Sequence, residues 1–434
     1  MSEEYIERTF REVNSRTDVA GANFNKGVKD FKFSIGQGYG FIPNQSYFRA
    51  TLRLTVGGAA PTIGDSVAFA DNCCGNLFNN IYFNMGGQTV SQITNGVPQI
   101  EIIKSRLSKN PVYNASIGVA QGLAGHHYDR RKLLVASRAI NGGNPLDLSR
   151  ENVHKETFQL GRNVRDFIWQ PALGIMDCGF PLGAGEYEFQ LNPAQDYILS
   201  CIDTSMLGVG FTTADIGIGP GQVNIEVVDM KLFVCVCRAD LKSSGDETLH
   251  LKEMEVLTAN VPAGNTDINQ EFTVPATTES MMFFIQDNQA GKDTSVPPSR
   301  FHNRSIGGVS LDALKLNDYQ IEYGGMTKPP IRINSRFDGN NQQLYQRYIN
   351  TALESGQFFQ LTGTETFEEY CERGPIFLET FMKSADNLAT RCHIMANYAP
   401  MTSDCRLFLV AQYNRTVKIV RQNGLIVSCV TQNR

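Results

Sequence analysis

The stretch "LFNNIYFNMGGQTVS", Leu77 to Ser91, reads as a strand, a tight Gly-Gly turn and a returning strand. Ile81, Phe83 and Met85 fall on one face, and Gly86-Gly87 supplies the positive φ that a two-residue hairpin requires. "LNDYQIEYGGMTKPP", Leu316 to Pro330, repeats the pattern with Tyr319, Ile321 and Tyr323 on one face before Gly324-Gly325. A helix is expected after each hairpin. The first spans 97–109, with Pro98 in its first turn and Ile100, Ile103 and Leu107 in one stripe; the second spans 341–355, "NQQLYQRYINTALES". Each copy then runs through further strands to a long terminal one, "KLFV" at 231–234 and "RLFL" at 406–409. This doubled order, offset by 238 residues between the Gly-Gly pairs, constrains the fold more than any other feature. Each copy is domain-sized and far longer than a solenoid or propeller repeat.

The surrounding text is β-rich. In "FRATLRLT", Phe48, Ala50, Leu52 and Leu54 alternate with Arg49, Thr51, Arg53 and Thr55, the period of an antiparallel strand with one dry face. Strands are also expected in "DFIWQPALGIMDCG", "GEYEFQLN", "DYILSCID" and "VNIEVVDMKLFVCVCRA" of the first copy. In the second they are expected in "LKEMEVL", "EFTVP", "MMFFIQD", "GPIFLETFM", "ATRCHIMANYAP", "CRLFLVAQYNRTVKIV" and "LIVSCV". The first copy is longer downstream of its hairpin, and residues 110–155, which lose all periodicity, read as a long surface excursion. Tyr5, Ile6, Phe10 and Val13 stand at helical spacing, so residues 3–15 are expected to form a short amphipathic helix. The polar segment "DLKSSGDETLH", Asp240 to His250, reads as the boundary between the copies. The fold class is therefore all-β: two tandem eight-stranded antiparallel jelly rolls with short helices in the loops. The expected division is an N-terminal arm over 1–44, a first roll over 45–240 and a second over 250–434.

Candidate chemistry is sparse. "GQGYGF" and "GVGFTT" read as turns, because neither joins a parallel strand to a helix start and neither has a phosphate-binding lysine. "HHYDRRK", His126 to Lys132, is the densest reactive cluster. Its adjacent histidines lack the i, i+4 spacing that aims two ligands at one ion, so it reads as an exposed basic loop for subunit or partner contacts. His154, His250, His302 and His393 are isolated and read as structural or surface residues. Glu365, Glu368 and Glu369 could serve a glycosidase only if placed across a cleft, and read as a solvated turn. The ten cysteines contain no Cys-x-x-Cys pair; Cys73-Cys74 are adjacent, and Cys235 and Cys237 lie in apolar strand text. They read as buried free thiols of a chain made and kept inside a cell. The opening "MSEEYIERTFREV" has no apolar signal-peptide core, so the sequons at Asn44, Asn114, Asn303 and Asn414 carry little weight. No run reaches the ~18 apolar residues of a membrane span. A net charge of −5 excludes a chain whose bulk neutralises phosphates. The first 16 residues set Glu3, Glu4, Glu7 and Glu12 against Arg8, Arg11 and Arg16, too balanced to coat a genome. No catalytic, cofactor-binding or metal-ligating residue is assigned.

The doubled order resembles the double jelly-roll major capsid proteins of double-stranded DNA viruses, most of all those of virophages, polinton-like viruses and adomaviruses. The residues that carry the resemblance in the first roll are Leu77, Phe78, Ile81, Phe83, Asn84, Gly86 and Val90, followed by the helix. In the second they are Ser310, Leu311, Leu314, Leu316, Tyr319, Ile321, Tyr323, Gly324 and Pro329. "FPLGAGEYEFQLN", Phe180 to Asn192, resembles the family's strand pair before the first terminal strand. The resemblance covers about residues 45–434. The chain is short for the family, which implies small tower loops, with 110–155 as the main one.

The resemblance implies a non-enzymatic structural role: homotrimers, pseudo-hexagonal because three chains bring six rolls, that tile an icosahedral capsid. It implies a location in the virion and, as partners, neighbouring capsomers with penton and minor capsid proteins. It leaves an internal membrane open and implies no direct sequence-specific nucleic-acid contact. Two rivals stand beside it. One is a two-domain β-sandwich carbohydrate-binding or carbohydrate-processing protein, disfavoured because the single tryptophan, Trp169, lies in apolar strand text. The other is a minor vertex or scaffold protein of the same fold.

Overall fold

A computed structural model of the chain describes residues 8–60, 68–70, 72–108, 117–122, 164–203, 223–239, 245–288, 316–330, 342–355, 367, 370, 374–381, 389–398, 400, 403–423 and 425–432. The first roll is built from β1 (Arg8–Asn14), β2 (Lys29–Ile35), β3 (Tyr47–Val56), β4 (Phe78–Met85), β5 (Gln88–Ile93), β6 (Val164–Trp169), β7 (Gly185–Pro193) and β8 (Val223–Arg238). The second uses β9 (Gly245–Val261), β10 (Asp267–Thr273), β11 (Thr278–Asp287), β12 (Leu316–Tyr323), β13 (Met326–Lys328), β14 (Phe377–Thr380), β15 (Arg391–Tyr398) and β16 (Cys405–Gln422). A further strand, β17 (Leu425–Gln432), pairs with β16. Helix α1 (Val97–Ser108) follows the first hairpin and α2 (Gln342–Glu354) the second.

The strand orders of the two rolls coincide. One sheet of the first roll runs β1-β8-β3-β6 and the other β2-β7-β4-β5; the second roll runs β9-β16-β11-β14 and β10-β15-β12-β13. In both, the order is first-eighth-third-sixth over second-seventh-fourth-fifth, every pair antiparallel. That is the strand order of a jelly roll, two interlocked Greek keys closed over one core. The hairpins coincide as well. Gly86 and Gly87 have φ of 58° and 78°, and Gly324 and Gly325 have 59° and 77°. A side chain at either position would strain against its own backbone, so the turn demands glycine twice.

Period-two patterning places each core. Phe48, Ala50, Leu52 and Leu54 are fully buried, while Arg49, Thr51, Arg53 and Thr55 stay half-buried on the outer face. Between the sheets of the first roll, Phe48 meets Phe31 at 5.1 Å and Phe189 at 5.3 Å, both edge-on, and Trp169 stacks on Phe78 at 5.4 Å. The second core centres on Phe283, Tyr319 and Phe377, with ring separations of 4.7, 4.9 and 5.0 Å. Edge-on and offset rings are the arrangements that aromatic quadrupoles favour.

Five expectations are corrected. Arg8–Asn14 is a strand rather than part of a helix over 3–15: it pairs with β8 from Arg8↔Cys237 to Asn14↔Lys231. The unpaired edge of the 16-residue β8 satisfies its amides, a long-range ladder that outweighs the local helical spacing. For the same reason residues 8–44 are not merely an arm, since they supply β1 and β2 to the two sheets of the first roll. "DYILSCID" is a helical turn, Tyr197–Ser200, followed by a two-residue strand, Ile202–Asp203, that pairs with Ala68–Phe69. The turn brings Tyr197 edge-on to Phe24 at 5.0 Å. In "DFIWQPALGIMDCG" the strand stops at Trp169, before Pro171, and Gly174–Asp177 forms a 3-10 turn; proline has no amide for a ladder. Finally, β9 begins at Gly245, inside the segment 240–250 read as a boundary. Its polarity belongs to a paired strand, whose Glu247 takes a hydrogen bond from Arg421. Of the excursion at 110–155, only 117–122 lies within the described residues, with a helical turn at Ile117–Ala120.

Candidate functional site

One sheet of the second roll has two buried faces. On the inner face of β9-β16-β11-β14, Met281, Phe283, Leu407 and Leu409 fill the second core. On its outer face, Met282, Phe284, Phe408 and Val410 join the apolar cluster of the first roll, and Phe284 stacks flat on Phe408 at 5.2 Å. A sheet covered on both sides needs continuous apolar runs, and "MMFFI" and "LFLVA" are such runs. The equivalent strand of the first roll, β3, alternates, and its outer residues Arg49, Thr51, Arg53 and Thr55 are only half-buried among the described residues.

Close backbone approach seals the seam. A Cβ on Gly174 would lie 2.4 Å from the Lys252 carbonyl oxygen, and one on Gly96 would lie 2.5 Å from Val256 Cγ2. At the far end β17 crosses to the first roll: the Ile426 amide donates to the Ala184 carbonyl at 2.9 Å, and the Ile426 side chain rests on Gly86 and Gly185. Polar groups set the register. Gln99 on α1 donates to Gln286 on β11 at 3.2 Å. Ser91 Oγ on β5 donates to Glu253 Oε1 on β9 at 2.6 Å, with both residues buried. Burial pushes the Glu253 carboxyl up to about 7, against the pull of Ser91, Arg415 and the amides of Gln92 and Gly174.

The matching outer face of the first roll, on β1-β8-β3-β6, is different in kind. Tyr47 and Phe233 are cross-strand partners stacked at 5.3 Å, with the Arg49 guanidinium 5.4 Å over Phe233 and Phe10 5.9 Å from Tyr47. Around them lie Arg53–Glu226 at 2.8 Å and Arg49–Asp229 at 3.8 Å. Phe10 is 55% exposed. On the second roll, α2 leaves Tyr345 49% and Leu353 42% exposed, whereas its counterpart α1 touches the second roll through Gln99. The chain thus holds one filled inter-roll joint, and on the corresponding faces of its other ends the described residues leave aromatic and apolar side chains exposed.

The second roll also contains a buried ionic knot. Arg347 Nη1 on α2 donates to Glu379 Oε1 on β14 at 2.8 Å and to Tyr319 OH at 3.2 Å, and Tyr319 OH donates to the same carboxylate oxygen at 2.6 Å. Burial raises the Glu379 carboxyl despite the arginine, and burial is the first cause that raises Tyr319.

The residues weighed for chemistry do not converge. His126–Lys132, His154, His302, Glu365, Glu368 and Glu369 lie outside the described residues. His250 sits on β9 with Nδ1 3.3 Å from Thr416 Oγ1, and His393 on β15 meets Asn269. The nine described cysteines, Cys73, Cys74, Cys235 and Cys237 among them, are buried thiols outside any disulfide. Burial pushes Cys392 up to about 12 and Cys178 and Cys429 up to about 11, the opposite of an activated thiolate. Among the described residues no group of three or more His, Cys, Asp or Glu could hold a metal ion. Trp169 is a core wedge between Phe48 and Phe78, not an exposed sugar platform. Asn44 is exposed and Asn414 donates to Glu279. No described helix is long and apolar enough to cross a membrane. Sequence reasoning missed Glu253 and the seam; the continuous runs on β11 and β16 were the signal that could have located it.

No protein-family description and no curated protein matches the sequence. Solved structures do match. The chain is similar to a chain in the 3.5 Å cryo-EM structure of the Sputnik virophage, with a TM-score of 0.62 at 12% identity over 100% of this chain and 89% of that one. It is similar to the mavirus major capsid protein, with a TM-score of 0.56 at 10% identity over 98% and 90% of the two chains. A chain of the PBCV-1 virus capsid gives a TM-score of 0.53 at 11% identity over 99% and 98%. The fold is the double jelly roll of these viral proteins.

Proposed function

We propose that this chain is a non-enzymatic major capsid protein, assembling as a trimer whose six rolls form a pseudo-hexagonal tile of an icosahedral shell. The observation that carries this reading is the unequal treatment of two equivalent sheet faces. The outer face of β9-β16-β11-β14 is buried by the first roll of the same chain, while that of β1-β8-β3-β6 is covered by described residues only at its Cys235–Cys237 end, by Ile42, and leaves Tyr47, Phe233 and Phe10 partly or largely exposed. Such a contact is heterologous: one roll offers a sheet face, the next offers its helix and hairpin side. Repeating it around an axis closes a ring, and three two-roll chains complete six positions. Tyr47, Phe233 and Phe10 would then meet the side of a neighbouring chain's second roll that carries Tyr345 and Leu353. Stacked aromatics ringed by charged pairs have the anatomy of an interface core with its rim.

The wider partners follow from the same reading: neighbouring trimers first, then penton and minor capsid proteins, with the virion as the location. The proposal is tested by Phe233→Glu. The substitution is expected to leave the chain folded, with the far-UV circular dichroism of the parent, because Phe233 lies outside both cores. It should convert trimers to monomers in light scattering behind size-exclusion chromatography. A variant that still forms trimers at the parent concentration would refute this placement of the interface.

A further inference from the structure

Glu253 is a buried carboxylate placed on the joint between two bodies rather than inside one. It is 1% exposed, and its Oε1 accepts from Ser91 across the seam. Oε2 has no hydrogen-bond partner, and neither have Nε and Nη1 of Arg415 on the adjacent β16. Among the described residues the groups facing it are few. From the first roll come the Ser91 hydroxyl, the Gln92 and Gly174 amides, and Cys178 just after the 3-10 turn; Asp177, beside Cys178, is paired with Lys104 at 2.8 Å. From β16 come Arg415 and Tyr413, and on its own strand Lys252 and Glu255 flank it. Among the described residues no cation hydrogen-bonds the carboxylate. A neutral acid is tolerated there, whereas a carboxylate is a charge short of partners within an apolar contact.

We propose that Glu253 is a proton-operated latch of the inter-roll joint, closed when the acid is protonated and loosened when it ionises and releases its proton to solvent. The device belongs to a single chain and stands whether or not chains trimerise. The sign follows from burial. A carboxyl held at about 7 in the closed joint and near 4.5 when hydrated gives a joint whose stability is full below the ordinary glutamate range. That stability is lost as pH rises through 7. The opening equilibrium should therefore grow by about a hundredfold between pH 5 and pH 8.

Hydrogen–deuterium exchange reads this on the seam amides of β5 and of Gly174–Asp177, after correction for the intrinsic pH dependence of exchange. The parent should show the rise, with a midpoint near 7, and Glu253→Gln should abolish it. Ser91→Ala removes a donor to the carboxylate and should move the midpoint upward. Parent exchange that is flat across the range, or an equal rise in Glu253→Gln, would overturn the latch. If Glu253→Gln fails to fold, the Ser91→Ala midpoint decides: an upward shift supports the proposal and an unmoved midpoint overturns it.

Discussion

Glu379→Ala should cost the second roll roughly 3–5 kcal/mol, enough to unfold it at moderate temperature. The carboxylate is the shared acceptor of Arg347 and Tyr319, and the side chains of Arg347 and Glu379 are only 5% and 10% exposed. Removing it leaves the guanidinium buried against aromatic rings with a phenol as its remaining partner in the knot. The loss is then mainly the cost of an uncompensated charge rather than the worth of the pair. The companion experiment separates the two. Arg347→Met combined with Glu379→Met replaces the pair by apolar groups of similar reach and should recover most of the lost stability. Denaturant unfolding of the parent, both single variants and the double variant measures the difference. A double variant as unstable as Glu379→Ala would mean that the knot's own attraction, not burial of an orphan charge, holds α2 to the roll.

Gly174→Val should have an effect of comparable size by a different route. The new Cβ would meet the Lys252 carbonyl oxygen at 2.4 Å and Glu253 Oε1 at 2.7 Å. The nearer obstacle is backbone fixed in the β9–β16 ladder, so the strain cannot be relieved by turning a side chain. Overpacking of this kind costs about 3 kcal/mol, and here the cost falls on the joint. The expected calorimetric signature is two separate transitions, one per roll, where the parent unfolds with its rolls coupled. A single transition at the parent temperature would show that the seam contributes little to the coupling.

The fold was legible where physics is local. Two Gly-Gly turns, each with period-two apolar text before it and a helix behind it, announce themselves because glycine, alternation and helical spacing are all short-range constraints. The identical strand orders of the two rolls then follow from one duplicated pattern. What was not legible depended on distant partners. Arg8–Asn14 has helical spacing in its letters and becomes a strand only because β8, more than two hundred residues away, has an edge to offer. Tyr197 sits in apolar text that suits a strand, yet its turn is fixed by contact with Phe24. Glu253 looks like the wet face of "LKEMEVL" until Ser91 and Gly174 of the other roll close over it. The candidate site was half visible: continuous apolar runs in β11 and β16 state that both sheet faces are covered, but not by what.

The measurement that bears most directly on the whole account is the mass and outline of the purified chain, by light scattering together with negative-stain electron microscopy. A particle of three chains with a six-cornered outline is the predicted result. A stable monomer under every assembly condition, with no hexagonal particle in the images, would contradict it.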